Sequence, residues 1–110
     1  MKKFLLFGMI GLTALFFYSC AEVGSIDGYV SLDEEYVEDA TVKIYYTGET
    51  ALIEATSTDD EGYFEFNELV PGTYDVTATY EQGGSSYTAS VTEIPLIAGE
   101  YQKITLELEK

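Results

Sequence analysis

The sequence predicts an all-β protein, a seven-stranded antiparallel β-sandwich. After residue 25, short segments recur in which apolar and polar residues alternate, a period of two that places every second side chain on one buried face. Clusters of glycine, proline and acidic residues separate these segments, and the 3.6-residue period of an amphipathic helix is missing from residues 25–110. Short strands at regular spacing, each followed by a turn, are typical of antiparallel sandwiches.

The clearest strands lie in the stretch Thr58–Val76, T-D-D-E-G-Y-F-E-F-N-E-L-V-P-G-T-Y-D-V. Phe64 and Phe66 fall on one face of a strand that follows a turn ending at Gly62, because glycine enters positive φ without a steric cost. Leu69 is predicted to cap the core after this strand. Pro71 and Gly72 are predicted to form a second turn. The next strand has four inward residues: Tyr74, Val76, Ala78 and Tyr80.

The other strands follow the same alternation. The third strand spans about 51–57, where Leu52 and Ile53 are adjacent and either can be the inward residue. Glu81–Ser86 and Ile94–Gly99 are predicted as loops, and Phe64, Tyr74 and Leu106 as buried core residues. The inward positions of the remaining strands are Ile26, Gly28, Val30 and Leu32; Val42, Ile44 and Tyr46; Tyr87, Ala89 and Val91; and Ile104, Leu106 and Leu108.

The spacing T-D-x-x-G-x-F-x-F-x-x-L-x-P-G-x-Y-x-V resembles the carboxypeptidase regulatory-like family, within the wider transthyretin-like, or prealbumin-like, group of β-sandwiches. The resemblance covers roughly residues 25–110 and implies a three-stranded sheet packed on a four-stranded one. It also implies an accessory module rather than a catalyst. No cofactor is expected. The residues that carry the pattern are Thr58, Asp59, Gly62, Phe64, Phe66, Leu69, Pro71, Gly72, Tyr74 and Val76.

The N-terminus has the pattern of a bacterial lipoprotein signal peptide. Two lysines precede an apolar run, Phe4–Tyr18, that is shorter than the roughly 20 residues of a membrane span. The single cysteine of the chain, Cys20, follows this run, which predicts acylation of Cys20, for example by palmitate. The alternative is that Cys20 ends the cleaved signal of a soluble protein. The predicted divisions are a signal peptide at 1–19, a lipid-anchored tether at 20–24 and one domain at 25–110, in the cell envelope and most simply at the outer membrane of a Gram-negative bacterium.

The charge of the chain argues against several partners. Residues 20–110 hold three lysines and all twenty acidic residues, a formal net charge of −17. Such a surface repels phosphate backbones, so nucleic-acid binding is not expected. The sequence has no histidine to act as a base, and its one cysteine is assigned to the anchor, so nucleophilic serine or cysteine catalysis lacks a base partner. Paired carboxylates are the remaining catalytic alternative, but a glycosidase also needs a cleft and usually a much larger scaffold. The sequence therefore predicts a protein that is not an enzyme.

Two acidic clusters are predicted to share the end of the sandwich that lies away from the anchor, if every loop reverses the chain. Calcium accepts six to eight oxygen ligands in irregular geometry, so this end is a candidate cation site. The alternatives are solvated loops, and a turn in which Asp59 bonds the backbone two residues on. The candidate residues are Asp33, Glu34, Glu35, Glu38 and Asp39, with Asp59, Asp60 and Glu61.

Tyr29 and Tyr63 fall on the outward phase of their strands and, if those strands share a sheet, form an exposed aromatic contact surface. The alternative explanation is the ordinary preference of tyrosine for strands. We therefore expect a lipid-anchored envelope module that contacts another envelope protein, with a carbohydrate-binding surface lipoprotein as the alternative.

Overall fold

Every regular element in the described part of the chain is a β-strand. The structure is a computed structural model and describes residues 23–110; the predicted signal peptide and Cys20 lie outside these residues. Within them, no helix has the length and apolar character that crossing a bilayer requires. The strands are β1 (Gly24–Leu32), β2 (Glu35–Tyr36), β3 (Thr41–Tyr46), β4 (Leu52–Ser57), β5 (Tyr63–Leu69), β6 (Gly72–Gln82), β7 (Ser85–Leu96) and β8 (Tyr101–Glu107).

The strands form the two layers of a sandwich. One sheet has the order β4-β3-β6-β7; in the other, β1 lies between β5 and β8, and β2 pairs with the end of β1. All neighbours are antiparallel except β1 and β8, which run parallel. The predicted β-sandwich is therefore confirmed, with seven main strands and the two-residue β2 added inside the predicted first loop.

The loops divide between the two ends of the sandwich. We call the end where the chain enters at Val23 the entry end; it carries the connections 47–51, 70–71 and 97–100. Backbone hydrogen bonds tie it together, from Gly99 N to Val23 O and from Ser25 N to Glu100 O. The opposite end, which we call the acidic end, carries the loop 33–40, the turn 58–62 and the tip of the β6–β7 hairpin.

The core lies between the inward faces of the two sheets. Phe64, Tyr74 and Leu106 are only 2%, 1% and 1% exposed, which confirms the predicted phases of their strands. Tyr46 was predicted to face inward but is 37% exposed. It lies at the last position of β3, where the sandwich ends, and its ring stacks on Tyr74 at 5.2 Å instead of entering the core.

A β-bulge explains why the phase of β4 could not be assigned. Ile44 of β3 pairs with Glu54. The next residue of β3, Tyr45, pairs with Leu52, so Ile53 is an extra residue in β4. Leu52 is 50% exposed and Ile53 37% exposed, so neither is part of the core.

Two loop predictions were wrong because β6 and β7 form a long hairpin. The strands continue to Gln82 and resume at Ser85, so only Gly83 and Gly84 remain of the predicted loop at 81–86. At the other end, β7 extends through Leu96, and Ile94 and Leu96 are buried at 4% and 3% exposure. The connection to β8 is therefore shorter than the predicted loop at 94–99.

The turn before β6 also differs from the prediction. Gly72 is the first residue of β6, and its φ is not positive. The left-handed residue of this region is Glu68, with φ of 56°. An added Cβ at Gly72 would meet nothing closer than 3.9 Å, so no glycine is required there.

Tyr74 joins the core to the entry end. Its hydroxyl donates a hydrogen bond to the carbonyl of Val70, while its ring is fully buried. Burial, followed by the neighbouring Tyr46, raises the pKa of Tyr74 from 10.0 to about 12. The phenol must therefore stay protonated for the native packing to persist.

This shift predicts a loss of stability at high pH. Because the pKa is higher in the folded than in the unfolded chain, the stabilisation is complete below pH 10 and is lost as the pH rises through about 12. We expect the free energy of unfolding, from urea titrations, to fall across this window, and Tyr74→Phe to reduce that slope. The pKa of Tyr63 is also raised, so the Tyr74→Phe variant should keep a smaller dependence on pH, which adding Tyr63→Phe should remove. Equal slopes in wild type and Tyr74→Phe would contradict the assignment.

Candidate functional site

Three strands, β5, β1 and β8, present a continuous outer face. The register sets Tyr29 of β1 opposite Tyr63 of β5 and Thr105 of β8. Two residues earlier in β1, Asp27 lies between Glu65 of β5 and Lys103 of β8. Because outward positions alternate along each strand, tyrosine and charged rows lie side by side on this surface.

Three tyrosine rings pack together on this face, and we call them the tyrosine cluster: Tyr29, Tyr36 and Tyr63. The ring centroid of Tyr29 lies 5.4 Å from that of Tyr63 and 5.0 Å from that of Tyr36. Tyr29 and Tyr63 are half-buried, whereas Tyr36 is 64% exposed. The sequence indicated the first two, and the structure brings them into contact.

Sequence reasoning missed Tyr36 because it lies in the acidic loop. Pairing of Ser31 with Tyr36 turns this part of the loop into β2 and places the ring beside Tyr29. Gly62 permits the approach, since it holds φ of 79° and a Cβ there would lie 2.7 Å from the Cβ of Tyr36. An aromatic residue inside a charged loop was the only signal in the sequence.

Asp27 connects the tyrosine cluster to the charged row. The Tyr63 hydroxyl donates to Asp27 Oδ2 at 2.7 Å, and Lys103 Nζ lies 3.3 Å from the same oxygen. The hydrogen bond to Asp27, with burial and nearby carboxylates, raises the pKa of Tyr63 well above its ordinary value. This phenol is therefore a fixed hydrogen-bond donor at neutral pH and not a base or a nucleophile.

A shallow depression continues the face toward the entry end. It has a volume of about 320 Å³ and offers hydroxyl, amide, carboxylate and ammonium groups to a ligand. Its lining residues are Ser25, Asp27, Glu65, Asn67, Tyr101 and Lys103. Polar groups of this kind beside aromatic rings can orient a bound partner through directed hydrogen bonds.

The acidic end brings together the loop 33–40 and the turn 58–62, as predicted from strand direction. Thr58 joins them: its hydroxyl donates to Val37 O at 2.6 Å and accepts from Ala40 N at 2.9 Å. The backbone of Thr58 also bonds Asp39 and Ala40. Thr58 is 3% exposed, so these bonds are shielded from water.

The acidic residues at this end are exposed to solvent. Within residues 23–110, no three acidic side chains are close enough to hold a metal ion. Asp59 serves the turn, because its Oδ1 accepts from the backbone N–H groups of Glu61 and Tyr63. Cation binding at this end stays a prediction. The other candidate residues are all exposed: Asp33, Glu34, Glu35, Glu38, Asp39, Asp60 and Glu61.

Removing the Thr58 hydroxyl should destabilise the acidic end. Thr58→Val keeps the shape but leaves the buried N–H of Ala40 and C=O of Val37 without this partner, which should cost about 2–3 kcal/mol. Thr58→Ser, which retains the hydroxyl, should cost less. Urea unfolding of the two variants tests this; a larger loss in Thr58→Ser would assign the role to the methyl group instead.

The family model of the carboxypeptidase regulatory-like domain matches residues 25–109. The chain belongs to this family. No curated protein matches the sequence of this regulatory-like domain. The match spans the whole sandwich, including the outer face of β5, β1 and β8.

Solved structures similar to the regulatory-like domain share its fold at low sequence identity. A Pseudomonas aeruginosa protein provisionally described as carbohydrate-binding has a TM-score of 0.53 and 14% identity, over 80% of this chain and 90% of the other. The dioxygenase domain of a dioxygenase and carbohydrate-binding protein fusion from Streptomyces sp. SirexAA-E has a TM-score of 0.55 and 13% identity, over 83% and 82%. A DUF3823 family protein from Parabacteroides merdae has a TM-score of 0.55 and 18% identity, over 80% and 46%.

These neighbours include a dioxygenase domain as well as a protein provisionally described as carbohydrate-binding, so the shared fold does not by itself assign a function. The described site adds the chemical argument. It consists of packed tyrosine rings beside the Asp27–Lys103 ion pair and a shallow, polar depression. The family and this set of groups favour a non-catalytic binding module.

Proposed function

We propose that this regulatory-like domain is a non-catalytic binding module, anchored to the outer membrane of a Gram-negative bacterium by a lipid on Cys20. It contacts another envelope protein through the outer face of β5, β1 and β8. The observation that supports this most strongly is the tyrosine cluster, packed around Tyr29 and placed beside the Asp27–Lys103 ion pair.

The composition of this face fits a protein partner. Tyrosine supplies a large contact area at a small entropic cost and is enriched at binding hot spots. Tyr36, at 64% exposure, is free to enter a pocket on a partner, while Tyr63 is held by Asp27. The rings tilt by 38° and 60° to one another, and such a ridge fits between protein side chains better than against one flat sugar ring.

A carbohydrate ligand is the second candidate. One similar structure comes from a protein provisionally described as carbohydrate-binding, and another is the dioxygenase domain of a fusion with a carbohydrate-binding protein. The depression beside Asp27 also offers Ser25 and Asn67, whose hydroxyl and amide groups suit sugar hydroxyls. Most neutral glycans are not repelled by the negative charge of this chain.

A glycan array separates the two candidates. The soluble fragment 20–110 with Cys20 replaced is applied to immobilised polysaccharides, with Tyr36→Ala as the matched variant. A protein contact predicts no specific retention. Retention of one polysaccharide that is lost in Tyr36→Ala would replace the protein partner with a glycan.

The anchor has its own test. Metabolic labelling with a fatty-acid analogue should mark the full-length protein in its host, and Cys20→Ala should abolish the label. Label that persists in Cys20→Ala, or that never appears, would remove the anchor from the proposal without affecting the contact face.

A further inference from the structure

The exposed apolar side chains of this domain are concentrated at the entry end. Seven large apolar or aromatic residues in the described part of the chain are strongly exposed, and only Tyr36 lies near the acidic end. The other six occupy the connections at the entry end or the strand positions next to them. They are Tyr46 (37%), Leu52 (50%), Ile53 (37%), Val70 (50%), Ile97 (63%) and Tyr101 (81%).

The structure places these residues on one end through three connections. Tyr46 stacks on Tyr74, whose hydroxyl bonds Val70. Ile97 begins the connection that bonds Val23 through Gly99, and Tyr101 pairs with Ser25 at the start of β1. Six exposed apolar or aromatic side chains at one end of a strongly acidic domain point to a contact with an apolar or interfacial partner.

The length of the preceding chain identifies that partner. Val23 lies three residues after Cys20, and three residues span at most about 10 Å when fully extended. If Cys20 carries a lipid, the entry end must lie next to the bilayer. The acidic loops then lie at the far end, where their charge meets no membrane surface.

We propose that the entry end rests on the phospholipid surface to which the chain is anchored, with Ile97, Val70 and Tyr101 in the headgroup region. This inference depends on the proposed lipid at Cys20. Tyrosine and aliphatic side chains suit this region because one part of the membrane interface is apolar and the other is hydrated.

The charges at the entry end specify the kind of surface. None of the lysines of residues 23–110 lies in its connections, so attraction to anionic lipids does not drive the contact. Glu49 and Glu100 do lie there, and one oxygen of the Glu100 carboxylate accepts a hydrogen bond from the backbone N–H of Ile97. The end therefore fits a zwitterionic surface, such as one rich in phosphatidylethanolamine.

The absence of tryptophan from the sequence permits a direct test. Ile97→Trp places a single reporter at the entry end, and Tyr36→Trp places a matched reporter at another strongly exposed position, near the acidic end. Each full-length lipidated variant is reconstituted in vesicles of phosphatidylethanolamine and a minor fraction of phosphatidylglycerol. A parallel set contains lipids brominated near the top of the acyl chain, which quench nearby tryptophan.

We expect both variants to sediment with the vesicles, and the brominated lipid to quench Ile97→Trp several-fold more than Tyr36→Trp. Equal quenching of the two reporters in sedimenting protein would overturn the contact while leaving the anchor intact. Protein that does not sediment would overturn both the anchor and this inference. Tyr101→Trp is a second entry-end reporter, and quenching confined to Ile97→Trp would also contradict a contact made by the whole end.

Discussion

Phe64→Ala should remove much of the stability of this domain. Phe64 is 2% exposed, and its ring centroid lies 5.8 Å from that of Phe66, in the centre of the core. Truncating a buried phenylalanine costs about 3–5 kcal/mol, because apolar burial is lost and a cavity remains. Since small domains have only about 5–15 kcal/mol in total, we expect a large drop in the urea midpoint.

The matched control for Phe64→Ala is Leu52→Ala. Leu52 is 50% exposed, so its truncation should change the free energy of unfolding by no more than about 0.5 kcal/mol. Comparable losses in the two variants would mean that the core does not lie between the sheets as described.

Gly28→Ala should be the second severe change. An added Cβ at Gly28 would lie 1.9 Å from the carbonyl oxygen of Ile104 and 2.8 Å from its carbonyl carbon. These are backbone atoms of β8, so relief requires the parallel pair of β1 and β8 to separate. We expect a loss of roughly 3 kcal/mol, the upper part of the usual range for overpacking.

Gly72→Ala is the control for Gly28→Ala, because a Cβ there makes only ordinary van der Waals contacts, at 3.9 Å or more, and φ is not positive. It should be neutral within about 0.5 kcal/mol, or slightly stabilising through a less flexible unfolded chain. If thermal unfolding ranks the two variants in the opposite order, the close approach of β1 and β8 is wrong.

The alternation of side chains was sufficient to predict the sandwich and most of its core. Phe64, Tyr74 and Leu106 face inward because a period of two leaves only one buried phase for each strand. Strand direction also placed the loop 33–40 beside the turn 58–62, since each connection reverses the chain. A period of two cannot predict a local irregularity such as the bulge at Ile53.

Features that depend on neighbouring strands were outside the reach of the sequence pattern. Tyr46 has the inward phase, but its position at the end of β3 leaves it on the rim of the core. The pairing of β1 with β8 became visible only in three dimensions, and with it the Asp27–Lys103 ion pair. Exposed ion pairs like this one typically contribute at most about 1 kcal/mol to stability, so the pair matters more for the charge distribution on the face than for the stability of the fold.

For the same reason, only part of the tyrosine cluster could be predicted from the sequence. Tyr29 and Tyr63 follow from strand phase. Tyr36 does not, because β2 forms only through pairing with β1 and the approach that Gly62 allows. Its functional role, like the cation site at the acidic end and the lipid at Cys20, stays a prediction.

The central claim is that the tyrosine cluster contacts another envelope protein. Site-specific photo-crosslinking in the native host tests it most directly, with a photoreactive amino acid at Tyr36 and, as the control, at Thr79, which is exposed on the outer face of β6. We predict one discrete protein adduct from position 36 and none of the same mass from position 79. The same adducts from both positions, or no protein adduct from position 36, would contradict the claim.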